Sequence, residues 1–91
     1  MYQITNYTKQ KAKELNVKIK PSSNPKKKID VYKDNKKVAS VGAMGYDDYP
    51  NYIIKKGKSY ADEKRRLYKL RHSKDRNVFG SNGYYADKLL W

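Results

Sequence analysis

Three side chains in this sequence could support acid–base or metal chemistry, namely Asp47, Asp48 and His72. A hydrolytic metal site needs several carboxylate or imidazole ligands, and a general base needs a nucleophile beside it. The two aspartates are adjacent, but no further carboxylate or histidine follows them at ligand spacing, and the chain has no cysteine. We therefore predict no enzymatic activity, no metal, no cofactor and no small-molecule substrate. A nuclease that uses these three side chains is the weakest of three hypotheses.

Positive charge is the more abundant chemistry of the chain. It has 22 Lys and Arg residues against 9 Asp and Glu among 91 residues, a formal net charge of +13. Such a surplus indicates a polyanionic partner, and nucleic acid is the first candidate. An anionic membrane surface or an acidic protein would satisfy the same electrostatics. The residues predicted to bind the anion are Lys26, Lys27, Lys28, Lys58, Arg65, Arg66, Lys69, Arg71, Lys74 and Arg76.

Most of these cations lie in residues 57–76, which are predicted to form one long helix over residues 59–75 with Ser59 as its cap. Apolar side chains recur there at the spacing of one helical face, namely Tyr60, Ala61, Leu67 and Tyr68. We expect this face to dock on the domain while Lys and Arg face an acidic partner. The prediction fails if Arg65, Arg66 and Lys69 are occupied by carboxylates of the same molecule, with nothing anionic nearby.

Shorter elements are predicted to support this helix within a single domain, residues 1–91. Helices are expected at residues 5–15, 49–55 and 82–90, and a β-hairpin at residues 29–43 turns at Asp34 and Asn35. Residues 17–20 could add a third strand. Asp48, which precedes Tyr49 and Pro50, is expected to cap the second helix.

Composition and pattern together predict an α+β fold. Apolar residues make up 37% of the chain, but ten tyrosines and one tryptophan supply large rings for a thin core. A hairpin alone is marginal in water, so another element must cover one face of the sheet. We predict a small antiparallel sheet of two or three strands covered by the long basic helix, with short N- and C-terminal helices.

The last segment, VFGSNGYYADKLLW, is aromatic and apolar in an otherwise basic chain. The large apolar ring of a tryptophan at this position is removed from water only if it packs on its own domain or on a partner. Both possibilities are open, and packing within the domain is the more ordinary one. The residues predicted to dock on a partner are Tyr84, Tyr85, Leu89, Leu90 and Trp91.

Four short motifs follow one another between residues 29 and 91. They comprise Val31 and Tyr32 with Lys36 and Lys37 in the hairpin, Gly45, Tyr46, Asp48 and Tyr49 in a turn, Tyr68, Arg71 and His72 in the helix, and Gly83, Tyr84, Tyr85, Leu89, Leu90 and Trp91 in the tail. This order resembles a family of small basic proteins encoded by large double-stranded DNA viruses and some phages. Asn35 and Asn82 depart from the family pattern, in which glycine and then alanine or proline are expected. The resemblance implies a viral setting without enzymatic activity.

Two functional hypotheses follow. The first is a non-enzymatic virion component, a minor capsid, cement or genome-associated protein, whose partners are capsid or other virion proteins and nucleic acid. It would be synthesised in the cytoplasm or nucleus of the host cell and reside in the virion. The second is a stand-alone nucleic-acid-binding protein without sequence preference. No apolar run reaches membrane-spanning length, so no membrane insertion is expected.

Overall fold

The computed structural model describes residues 2–91, which form a three-stranded antiparallel sheet and four helices. The elements in chain order are α1 Asn6–Leu15, β1 Lys18–Pro21, β2 Lys27–Lys33, β3 Lys36–Ala43, α2 Tyr49–Lys56, α3 Lys58–Arg71 and α4 Asn82–Leu90. The predicted α+β class, with one long helix and short terminal helices, is confirmed.

The sheet is built around the hairpin of β2 and β3, with β1 paired on the other side of β2. Asp34 and Asn35 form its turn with φ angles of 53° and 66°, the left-handed conformation that these residue types tolerate. Ile29 and Val31 alternate with polar neighbours and are fully buried on one face. This face forms the floor of the hydrophobic core.

The helices that cover this face are α4 and α1. Tyr85, Leu89 and Leu90 of α4, together with Ala12 of α1, pack on the buried strand residues. The prediction that the long basic helix covers the sheet is wrong, because α3 packs chiefly against α2. The physical reason is the apolar area that each helix can bury. Helix α3 buries only two side chains, whereas α4 buries three large ones in the core.

Helix α3 begins one residue earlier and ends four residues earlier than predicted. Gly57 is its N-cap with φ of 92° and no side-chain cap bond, so Ser59 lies inside the first turn rather than before it. After His72 the backbone closes tight turns in place of further helix. In the part of the chain from residue 2 onward, no helix combines the length and the hydrophobicity that crossing a bilayer requires.

Candidate nucleic-acid interface

Several cations predicted to bind anions have carboxylate partners inside the molecule. The pairs are Lys58 and Arg65 with Asp62, Arg66 with Glu63, and Lys69 and Arg76 with Asp87. Arg65, Arg66 and Lys69 therefore do pair with carboxylates of the same molecule. This pairing argues against α3 as the main anion-binding face. Exposed pairs of this kind are weak, at about 0–1 kcal/mol, so they lower the availability of these cations without abolishing it.

The pairs with Asp87 are structural rather than superficial. The Asp87 side chain is completely buried, and the Lys69 ammonium lies 2.8 Å from its Oδ1 atom, with the Arg76 guanidinium 3.7 Å from Oδ2. A buried carboxylate needs compensating positive charge, because its desolvation is costly. Lys69 therefore joins α3 to α4, Arg76 joins the segment between these helices to α4, and both are poor candidates for an external anion.

Lys28 is buried as well, which corrects its prediction as an anion-binding residue. Its Nζ atom lies 3.0 Å from Oδ2 of Asp48 and 5.4 Å from the ring centre of Tyr2, and its side chain is 6% exposed. The reason is that residues 27 and 28 belong to strand β2 instead of a surface loop. Its neighbours Lys26 and Lys27 have no carboxylate within 4.0 Å among residues 2–91.

Asp48 is fully engaged in holding α2 in place. Its carboxylate accepts hydrogen bonds from the Tyr2 hydroxyl at 2.6 Å, from the backbone amide of Asn51 at 3.2 Å and from the Lys28 ammonium at 3.0 Å. Burial and the hydrogen bond to Asp48 raise the pKa of Tyr2 above its usual value. The side chain thus caps the helix, as the sequence predicts, and neutralises a buried lysine.

The other two residues considered for catalysis also have ordinary polar partners. Asp47 lies 2.9 Å from the Lys55 ammonium, and Nδ1 of His72 lies 3.4 Å from Oδ2 of Asp75. Within residues 2–91, no three His, Asp or Glu side chains converge as metal ligands.

The aromatic tail packs on its own domain. Tyr85, Leu89 and Leu90 are 4%, 0% and 1% exposed within the core, which corrects their assignment to a partner surface. Trp91 stacks on Tyr68 with ring centres 4.4 Å apart and an angle of 9° between the planes, and Tyr84 is half-buried beside the core. Burying these rings within the domain removes more apolar area from water than leaving them for a partner would.

The cations that remain unpaired concentrate in the first half of the chain. Thirteen Lys and Arg side chains have no carboxylate within 4.0 Å among residues 2–91: Lys9, Lys11, Lys13, Lys18, Lys20, Lys26, Lys27, Lys33, Lys36, Lys56, Lys64, Arg71 and Lys74. Nine of them precede residue 37, a region that has only three acidic residues. The unpaired positive charge therefore lies mainly on α1 and the sheet.

A shallow groove runs along the edge of the sheet in this half of the molecule. It is lined by residues 16–20, before and within β1, and by residues 32–35 at the hairpin turn, and we call it the edge groove. Lys18 and Lys20 alternate with the half-buried Ile19, so they lie on the face away from the core. Lys18 is opposite Tyr32 in the register, and the Lys20 ammonium lies 4.8 Å from the Tyr32 ring centre.

No family model, curated protein or solved structure matches the chain. The resemblance to the viral family therefore stays a prediction.

The edge groove suits a nucleic acid because its flexible lysines can contact phosphates without reading sequence. The prediction from sequence missed Lys18, Lys20 and Lys33 because it concentrated on the helix with the highest charge density. The signal was present in the alternation of residues 18–20 and in the absence of acidic residues between Glu14 and Asp30.

Proposed function

We propose that this protein is a non-enzymatic, genome-associated component of a virus particle that binds nucleic acid without sequence preference through the edge groove. The observation that carries the proposal is the segregation of unpaired lysines onto α1 and the sheet, away from most carboxylates. Nucleic acid suits this surface because its phosphates are closely spaced and demand no fixed side-chain geometry. The viral setting depends on the resemblance of the four motifs alone.

The charge of the edge groove gives the proposal a quantitative form. Lys18, Lys20, Lys33 and Lys36 border the groove or its turn, and none has a carboxylate within 4.0 Å among the residues described. If each neutralises one phosphate, the logarithm of the binding constant should fall with the logarithm of salt concentration with a slope of about −3.6 on duplex DNA and about −2.8 on single strands.

A charge-matched comparison tests the proposal. One variant neutralises three groove lysines, Lys18→Gln, Lys20→Gln and Lys33→Gln. The control neutralises three exposed cations that already have carboxylate partners, Lys55→Gln, Lys58→Gln and Arg66→Gln. Both lose the same formal charge, so they separate the position of the charge from its amount.

Fluorescence anisotropy with labelled mixed-sequence oligonucleotides over a range of salt concentrations provides the measurement. We expect the groove variant to flatten the salt slope by about 2 to 3, and the control to change it by less than about 1. Equal losses in both variants would show that net charge alone determines binding and would refute the groove. Absence of binding by the unmodified protein at low salt would refute the proposed function altogether.

Binding of a capsid or another virion protein is the second candidate function. The observation that favours it is an apolar groove with a cationic rim, on a different part of the molecule from the edge groove.

A further inference from the structure

A second groove lies between α3, the C-terminal end of α4 and residues 42–47, and we call it the aromatic groove. Its floor is formed by Tyr52, Leu67, Tyr68, Leu90 and Trp91, and its volume is ≈ 370 Å³. Pockets that bind small ligands are typically about 300–1,000 Å³. The aromatic groove shares no lining residue with the edge groove.

Large apolar side chains at this groove remain in contact with water. Leu67 is 41% exposed on the floor and Tyr46 is 75% exposed at the rim. Leu67 belongs to the face of α3 that the sequence predicts to dock on the domain, yet the sheet is covered by other helices. A concave apolar surface of this kind is typical of a protein contact rather than of a solvated helix face.

The rings in the groove are already engaged with one another. Trp91 stacks on Tyr68 at 4.4 Å between ring centres and meets the ring of Tyr52 at 6.1 Å with a tilt of 48°. Because these rings use their faces within the molecule, they form a poor platform for stacking nucleobases. The Leu67 side chain, which is 41% exposed, and the ring edges instead suit an apolar side chain of a protein.

The two sides of the rim of the aromatic groove differ in unpaired charge. Lys64 and Arg71 lie on the α3 side and have no carboxylate within 4.0 Å among residues 2–91. On the other side Asp47 is paired with Lys55, so its negative charge is compensated. An occupant that presents carboxylates toward α3 would find two unpaired cations beside an apolar floor, and this complementarity favours acidic partners.

We propose that the aromatic groove binds an acidic segment of another protein, which inserts a large apolar side chain beside Leu67 and directs carboxylates to Lys64 and Arg71. The apolar contact supplies the affinity, and the two cations select acidic segments over neutral ones. This interaction is independent of nucleic-acid binding by the edge groove, since the two surfaces have no residue in common.

Trp91 makes the proposal directly measurable. It is the only tryptophan of the chain and lies on the floor of the groove, so its fluorescence reports occupancy. The probe is a synthetic peptide without tryptophan in which leucine and glutamate residues alternate, and the control peptide has glutamine in place of every glutamate. We expect a saturable change in Trp91 emission with the acidic peptide and at least about fivefold weaker binding of the neutral one.

Three variants locate the binding. We expect Leu67→Gln and Arg71→Gln each to weaken the acidic peptide by about fivefold or more, while Leu70→Gln has less than a twofold effect. Leu70 is the matched control because it is 63% exposed on the same helix but does not line the groove. All three positions are exposed, and circular dichroism spectra will show that each variant is folded.

Several results would overturn the proposal. These are the absence of a change in Trp91 emission, equal binding of the neutral and acidic peptides, and an equal effect of Leu70→Gln and Leu67→Gln. Titration with oligothymidylate tests whether the aromatic groove binds nucleic acid instead. If the oligonucleotide changes Trp91 emission and competes with the peptide, the aromatic groove is a nucleic-acid site and the acidic protein partner is refuted.

Discussion

Replacing Asp48 tests whether Lys28, predicted from sequence as a phosphate ligand, is instead a structural residue. Asp48→Asn keeps a side-chain oxygen that can accept the hydrogen bond from the Asn51 amide, so the cap of α2 can persist. It removes the negative charge that faces the Lys28 ammonium at 3.0 Å. Because the Lys28 side chain is only 6% exposed, water cannot replace that charge.

The expected loss is large relative to the stability of the domain. Breaking a buried ion pair by removing one partner costs about 3–5 kcal/mol. At roughly 0.05–0.15 kcal/mol per residue, a domain of this length has a free energy of unfolding of about 5–14 kcal/mol. Asp48→Ala should cost about 1 kcal/mol more than Asp48→Asn, because the cap is then lost as well. Combining Asp48→Asn with Lys28→Met should restore most of the loss, since no unpaired charge remains.

Urea unfolding, followed by Trp91 fluorescence and by far-ultraviolet circular dichroism, gives these free energies. The double variant is the control for changes in shape at Asp48 and Lys28. A loss below about 0.5 kcal/mol for Asp48→Asn would mean that the pair behaves as an exposed one, and would refute the burial argument. Weaker oligonucleotide binding by Lys28→Met, with unchanged stability, would restore Lys28 as an anion ligand.

Three further predictions concern the fold. Gly42→Ala should destabilise the domain by about 1–3 kcal/mol more than Gly45→Ala in urea unfolding, because both have positive φ but only at Gly42 would a Cβ lie 2.8 Å from a Leu90 methyl. Burial raises the pKa of Asp30, but hydrogen bonds from two serine hydroxyls and an amide outweigh it and lower the pKa below 3.8. The ionised form of Asp30 therefore stabilises the fold above pH 3.8. Asp30→Asn should lower the free energy of unfolding by about 1–3 kcal/mol at neutral pH. This difference should vanish in acid as the pH falls through the lowered pKa. Burial and the negative charge of neighbouring carboxylates raise the pKa of Tyr68 to about 12, so stability present below pH 10 should decline as the pH rises toward 12, and Tyr68→Phe should remove this phase from an absorbance-monitored alkaline titration.

Local signals in the sequence were sufficient to predict most of the secondary structure. Asp34 and Asn35 favour a tight turn, and Asp48 before Tyr49 and Pro50 marks a helix start, because these residues act through bonds to their immediate neighbours. The Ser81 hydroxyl accepts a hydrogen bond from the Tyr84 amide and starts α4 in the same way. Such short-range chemistry does not depend on the rest of the fold.

The choice of the helix that covers the sheet depends on long-range competition. Helix α3 presents Tyr60, Leu67 and Leu70 at helical spacing, but each of them is more than 40% exposed. Periodicity identifies an apolar face without showing which other face it meets. That choice follows from the total apolar area buried, which favours α4.

The ion pairs of the candidate site likewise include some that follow from local spacing and some that depend on the whole fold. The pairs of Asp62 and Glu63 with cations three or four residues away could have been predicted from helical spacing. The burial of Lys28 by Asp48 and of Asp87 beside Lys69 could not, because the partners are 20 and 18 residues apart in sequence. Unpaired charge, rather than charge density, identified the edge groove, and pairing is known only from the folded structure.

Lysines on both outer strands of the sheet have a consequence for how copies of the chain approach one another. The free backbone groups of an edge strand can template pairing with another molecule, and like charges on the edge oppose this. Lys18 and Lys20 line one border of the sheet, and Lys36 and Lys37 the other. We expect isolated copies to repel each other, and a polyanion that screens these ammonium groups to let them crowd side by side along its length.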